Sequence, residues 1–145
     1  LSRGHLELAS ADPAQAVRIH ANSLGDPEGR DLQTLLEAVR LARRILGTAA
    51  FAPYRGSELY PGATVQDDAA LAEFVRRKAE TIYHPVGTCR MGNDAQAVVD
   101  TQLRVHGIGA LRVVDASVMP RLVGGNTNAP VVMIAEKASD LILAA

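Results

Sequence analysis

The chain reads as an α+β fold, and three observations predict it. Residues 4–9 and 17–21 alternate polar and apolar side chains, as half-buried strands do. Residues 32–46 and 71–79 repeat apolar side chains at helical spacing, and so do residues 131–142. Between the last two helical stretches lie two short apolar runs, 97–100 and 111–115, that read as strands. The order strand, strand, helix, helix, short strands, helix is that of an α+β unit, and equally of parts of two layers of a larger protein.

The elements follow in order. Asp12-Pro13 marks a turn between the first two strands. Within their alternation His5 and His20 fall on the polar phase. Asp26-Pro27 resembles a helix start, with Asp as cap and Pro at the first helical position. Leu32, Leu35, Leu36, Val39, Ala42 and Leu46 would form its apolar face, and Gly47 would end it. Arg40, Arg43 and Arg44 sit near its C-terminal end, where cations suit the helix dipole. The arginines around Arg43 and Arg76 read as solvated helix faces. Residues 48–63 are looser, with Pro53, Gly56, Pro61 and Gly62. A second helix is predicted over residues 67–80, with Leu71, Phe74, Val75 and Ala79 inward. A third is predicted from Ala129 or Pro130 onward.

Composition narrows the function. The 145 residues are enough for one ordinary domain with its own core. With aromatics at 3%, that core must be aliphatic. A net charge of −1 provides no basic surface for nucleic acid and no polybasic membrane patch. No apolar run has the length of a membrane span. The single cysteine, Cys89, excludes an internal disulfide and a thiol–metal cluster, and no metal site is expected. Cys89 reads as a small buried hydrophobe. A reducing cytoplasm is the default compartment. The first residue is Leu1 rather than Met, as expected for a piece of something longer.

Two segments carry candidate chemistry. In Tyr83-His84-Pro85-Val86-Gly87-Thr88-Cys89-Arg90-Met91-Gly92 a histidine precedes a glycine-containing turn. Imidazole can take a proton near neutral pH, so His84 is a candidate base; it could equally be a loop histidine satisfied by backbone. In Gly125-Asn126-Thr127-Asn128-Ala129-Pro130 a polar loop opens an apolar helix. Asn128 could cap that helix or hold a substrate oxygen, with Asn126 or Thr127 capping instead. The helix N-terminus collects unpaired N–H donors and a partial positive charge that suit an anionic group. Asp115 closes an apolar run, where it could touch a ligand or merely start a turn. Gly107-Ile108-Gly109 lacks a third glycine and leads away from a helix, so it is no phosphate cradle.

Taken together and in this order, these motifs resemble the C-terminal part of the glucose–methanol–choline oxidoreductases, and among them the choline dehydrogenase-like alcohol dehydrogenases. The likeness rests on residues 83–92, on Leu111-Arg112-Val113-Val114-Asp115-Ala116-Ser117-Val118-Met119-Pro120, and on residues 125–137. Ser2-Arg3-Gly4 and Leu59-Tyr60-Pro61-Gly62 add to it. The resemblance implies oxidation of an alcohol with FAD. His84 would act as base toward the substrate hydroxyl, and hydride would pass from the alcohol carbon to flavin N5. Asn128 would be the second catalytic position. Asp115 and Ala116, with Asn126, Thr127, Ala129 and Pro130, would contact the cofactor.

The resemblance also implies an organisation. Residues 1–82 would belong to a substrate-binding domain of antiparallel strands and helices. Residues 83–145 would be a catalytic segment returning to the FAD-binding α/β domain. The glycine-rich strand–turn–helix that binds the ADP half of FAD is not in this chain, so the N-terminal FAD-binding region is the expected missing partner. By itself the chain would hold FAD weakly or not at all. The alternative is an inactive module that folds, binds no flavin and pairs with a second copy through surface the missing sheet would cover.

Overall fold

The structure is a computed structural model, and it describes residues 1–144. It divides into two compact units, Leu1–Glu80 and Thr81–Ala145. Among the described residues no helix is long and apolar enough to cross a membrane.

The first unit opens with a hairpin of β1 (His5–Glu7) and β2 (Arg18–His20), paired antiparallel with His5 opposite His20 and Leu6 opposite Ile19. Asp12 makes the turn between them: its carboxylate accepts from Ala14 N at 2.9 Å and its carbonyl from Gln15 N at 3.1 Å. Helix α1 (Arg30–Leu46) follows. It begins three residues later than Asp26-Pro27 predicts. Asp26 does cap, but from outside the helix: its carboxylate accepts from Arg30 N at 2.6 Å and Asp31 N at 3.2 Å. Gly29 makes this possible by taking a left-handed φ of 66° between cap and helix.

A six-residue 3-10 helix, Ala49–Tyr54, occupies part of the stretch expected to be loose. Helix α2 (Asp68–Lys78) is capped by Asp67, which accepts from Ala70 N at 2.8 Å. Leu32 and Leu36 of α1 pack against Leu71 and Val75 of α2, flanked by Leu24, Val39, Val65 and Phe74. Leu35, Ala42 and Leu46 of the predicted α1 face are exposed, and so is Ala79, which follows the last residue of α2. Arg43 is not on a solvated face. It reaches Glu58 at 2.8 Å and the carbonyls of Gly62 and Val65 at 3.3 and 2.9 Å, fastening the loop to α1.

In the second unit the predicted strands at 97–100 and 111–115 do not form. Only isolated bridges appear, Met91 with Val99, Val99 with Val105, and Arg104 with Arg112. The backbone is satisfied by an irregular mesh instead, with Val98 N to Arg90 O at 3.0 Å, His106 N to Val98 O at 3.0 Å and Val113 N to Leu103 O at 3.1 Å. Such groups must find partners when buried, and here each finds a different neighbour. Helix α3 (Asn128–Leu143) closes the unit. Its Ile134 and Ala138 join Val99, Leu103, Val118 and Met119 in one core.

Candidate active site

The motif at residues 83–92 is stitched to residues 117–118 through its backbone. Cys89 N donates to Ser117 O at 3.0 Å, and Met91 N donates to Val118 O at 2.8 Å. Val86 and Met91 pack on the core beneath, which anchors the loop on both sides of its turn. Gly87 is required in that turn. Its φ is +90°, and a side-chain carbon there would lie 3.3 Å from Met119 O. Tyr83, immediately before the histidine, has a φ of 62°, a conformation costly for a bulky residue and found mostly where surrounding structure enforces it.

This framework brings His84 against the loop that opens α3. Nδ1 of His84 lies 3.1 Å from the Thr127 hydroxyl, and Nε2 lies 3.3 Å from Asn126 Oδ1. Both ring nitrogens are therefore held by consecutive residues some forty positions downstream. Thr127 is buried and stands at the N-cap position of α3, yet its side chain makes no cap hydrogen bond. Its hydroxyl faces the imidazole instead. Sequence reasoning offered Thr127 as a cap or a cofactor contact and missed this pairing. The signal lay in a hydroxyl residue one position before the helix, but its direction depends on how the 84-to-127 loop closes.

Two other candidates are positioned differently. Asn128 is the first residue of α3 and is exposed; among the described residues no hydrogen bond engages its amide. Among the described residues it neither caps the helix nor hydrogen-bonds to His84. Asp115 starts a short 3-10 helix, Ala116–Val118, with its carboxylate accepting from Ser117 N at 2.7 Å. That is the turn-initiating role, and it leaves the second carboxylate oxygen without a bond to any described residue. Ala129 and Pro130 lie in the first turn of α3, where proline costs no hydrogen bond. The Ser117 hydroxyl, which the sequence did not single out, is buried and has no hydrogen-bond partner among the described residues. Orphaned buried polar atoms are rare in native proteins and call for a partner.

The GMC oxidoreductase family model matches residues 1–135. The chain belongs to that family. It is 48% identical to the oxygen-dependent choline dehydrogenase of Proteus mirabilis over 141 residues, 97% of this chain and 25% of that protein. It is 47% identical to an alcohol dehydrogenase (acceptor) of Pseudomonas putida over 142 residues, 98% of this chain and 25% of that protein. Among solved structures it resembles the formate oxidase of Aspergillus oryzae, studied for modification of its FAD. The TM-score is 0.89 at 32% identity, over 97% of this chain and 24% of that one. The chain thus spans about a quarter of the length of the GMC oxidoreductases it matches. Its two-stranded antiparallel sheet and its helices are a fold that the formate oxidase shares over this region.

Proposed function

We propose that this chain supplies the proton-accepting side of an FAD-dependent, choline dehydrogenase-like alcohol oxidoreductase, with His84 as the base. The observation that carries the reading is the double anchoring of the imidazole by Thr127 and Asn126. A base needs one nitrogen fixed and the other presented. With the proton on Nδ1, Nδ1–H donates to the Thr127 hydroxyl and Nε2 offers its lone pair. Asn126 then serves Nε2 through its amide N–H after a half-turn of the side chain, which exchanges O and N at little change in shape. A substrate hydroxyl arriving at Nε2 takes the place of that amide.

The residues present fit FAD. The Ser117 hydroxyl is buried beside Asp115 and Ala116 without a partner among the described residues, and the N-terminus of α3 gathers N–H donors suited to a group that gains negative charge. Asp115, Ala116, Asn126, Thr127, Ala129 and Pro130 would hold it. When bound, FAD would accept hydride from the alcohol carbon while the O–H proton would pass to Nε2 of His84, which would leave a carbonyl compound. Asn128, whose side chain is exposed, would hold the substrate oxygen. On this reading residues 1–82 serve the substrate domain and residues 83–145 carry the catalytic segment.

The test is steady-state kinetics on the full-length enzyme that contains this region. His84→Ala is expected to lower kcat/KM by roughly 10² to 10⁴, the scale of a general acid–base residue. A loss below about threefold, under 1 kcal/mol, would return His84 to a structural role. Thr127→Val, which removes the hydroxyl partner of Nδ1, should shift the pH–rate profile, whereas Thr127→Ser should restore it.

A further inference from the structure

We propose that the β1–β2 hairpin carries a divalent transition-metal site made of His5, Glu7 and His20. His5 and His20 are direct cross-strand partners, and Glu7, two residues on from His5, shares their face. The imidazoles stack with ring centroids 4.4 Å apart and planes 14° from parallel. Glu7 Oε2 lies 3.5 Å from Nε2 of His20 and 3.9 Å from Nε2 of His5. One donor atom from each residue therefore falls within 4.8 Å of the others.

Two imidazole nitrogens and a carboxylate oxygen are a donor set for zinc and its neighbours, with bonds of about 2.0–2.2 Å and further positions for water. All three side chains are exposed, so the rotations that close the donors onto an ion disturb the stacking of the two rings and no buried neighbour. The backbone supplies the rest: a cross-strand pair has its separation fixed by the register, whichever way the rings turn. Arg18 Nη1 occupies the other carboxylate oxygen, Oε1, at 3.0 Å. It competes for charge but leaves Oε2 directed at the histidines. An ion here would clip two short strands, a hairpin of a kind that is marginal by itself in water.

Neither strand shows the site when read alone, because His5 and His20 are fifteen positions apart and only the register joins them. This proposal is independent of the flavin chemistry and of His84.

Isothermal titration of the whole chain, without affinity tag or chelator, with zinc chloride alone tests it. The expected result is one zinc per chain. Affinity should fall about tenfold or more in His5→Ala and in His20→Ala, since loss of even an outer-shell partner has effects of that order. Glu7→Gln should weaken binding, and Arg18→Ala should keep or tighten it. His106→Ala should leave it unchanged, because His106 Nε2 already meets Gly92 O at 3.1 Å. Saturating zinc should raise Tm in the parent and not in the His5→Ala/His20→Ala double variant. No stoichiometric binding, or equal binding by the double variant, would overturn the proposal, and circular dichroism of each variant separates lost ligands from lost fold.

Discussion

Leu1–Glu80 and Thr81–Ala145 satisfy their backbones by opposite means. The first uses two α-helices and a hairpin, and meets at a small core of Leu32, Leu36, Leu71 and Val75. The second has one α-helix and a mesh of single hydrogen bonds, yet it buries six core side chains, Val99 and Val118 completely. Regular secondary structure and depth of burial are therefore different quantities here. The candidate site lies in the irregular unit, where turns can aim a histidine and a loop hydroxyl at each other while the core beneath keeps them still.

The largest expected effect tests whether that mesh is as cohesive as the helix pair. Leu71→Ala should cost about 2–5 kcal/mol in the first unit, the range for a buried leucine. Val118→Ala removes two methyl groups from the second core and should cost about 2 kcal/mol. Native-state hydrogen exchange reads the units separately. In the first variant the α1 and α2 amides should lose protection. In the second the loss should fall on the amides of Met91, Val98 and Val113, which are bonded without belonging to any strand. If Val118→Ala cost less than about 0.5 kcal/mol, a level typical of neutral surface changes, the second unit would not be held by its core.

The same contrast explains what was legible in the sequence. The two helices of the first unit were readable because a period-3.6 pattern maps onto one buried face, whereas the hairpin's period-2 alternation marked strands correctly but not their burial, since every residue of β1 and β2 is exposed rather than half-buried. The start of α1 was misplaced because the Asp26 side chain caps across a left-handed Gly29, a turn that the Asp-Pro pair does not reveal. In the second unit the apolar runs at 97–100 and 111–115 are real core segments, with Val99 fully buried, but their hydrogen bonds go to scattered partners rather than to a ladder. Burial could be read there and pairing could not. Among site residues, His84 stood out by its turn chemistry. Its attachment to Thr127 and Asn126 depended on closing a loop of some forty residues, which no local pattern encodes.

A smaller effect sharpens the comparison at the turns. Asp26 serves two backbone N–H groups of α1, whereas Asp115 serves only Ser117 N. Asp26→Ala should therefore cost about 1 kcal/mol, within the usual range for a lost helix cap. Asp115→Ala should cost about 0.5 kcal/mol, at the lower end for a single hydrogen bond near water. Thermal melts of the two variants side by side give the order. A greater loss in Asp115→Ala would mean that the short 3-10 helix contributes more to the second unit than its one bond indicates.

The smallest expected effect lies in acid. Two carboxyls of the second unit are held below the usual carboxylate range, for different reasons. Asp94 is lowered first by its paired hydrogen bonds with the Arg90 guanidinium, at 2.6 and 2.9 Å. Asp100 is lowered first by the backbone N–H of Arg104, at 2.9 Å, and only then by that residue's side chain. A carboxyl depressed on folding favours the native state fully above its unfolded pKa, near 3.9. That contribution fades as pH falls from there through the lowered native value, so both act only in the acid limb. Salt distinguishes them. A guanidinium is a full charge in water and is screened by added ions, whereas a backbone N–H is a fixed donor at contact distance. Carboxyl NMR titrations in 1 M salt should show Asp94 returning toward its ordinary range more than Asp100 does. Equal shifts would mean that Asp100 leans on the Arg104 side chain, and that the mesh backbone contributes less to that carboxylate than its geometry implies.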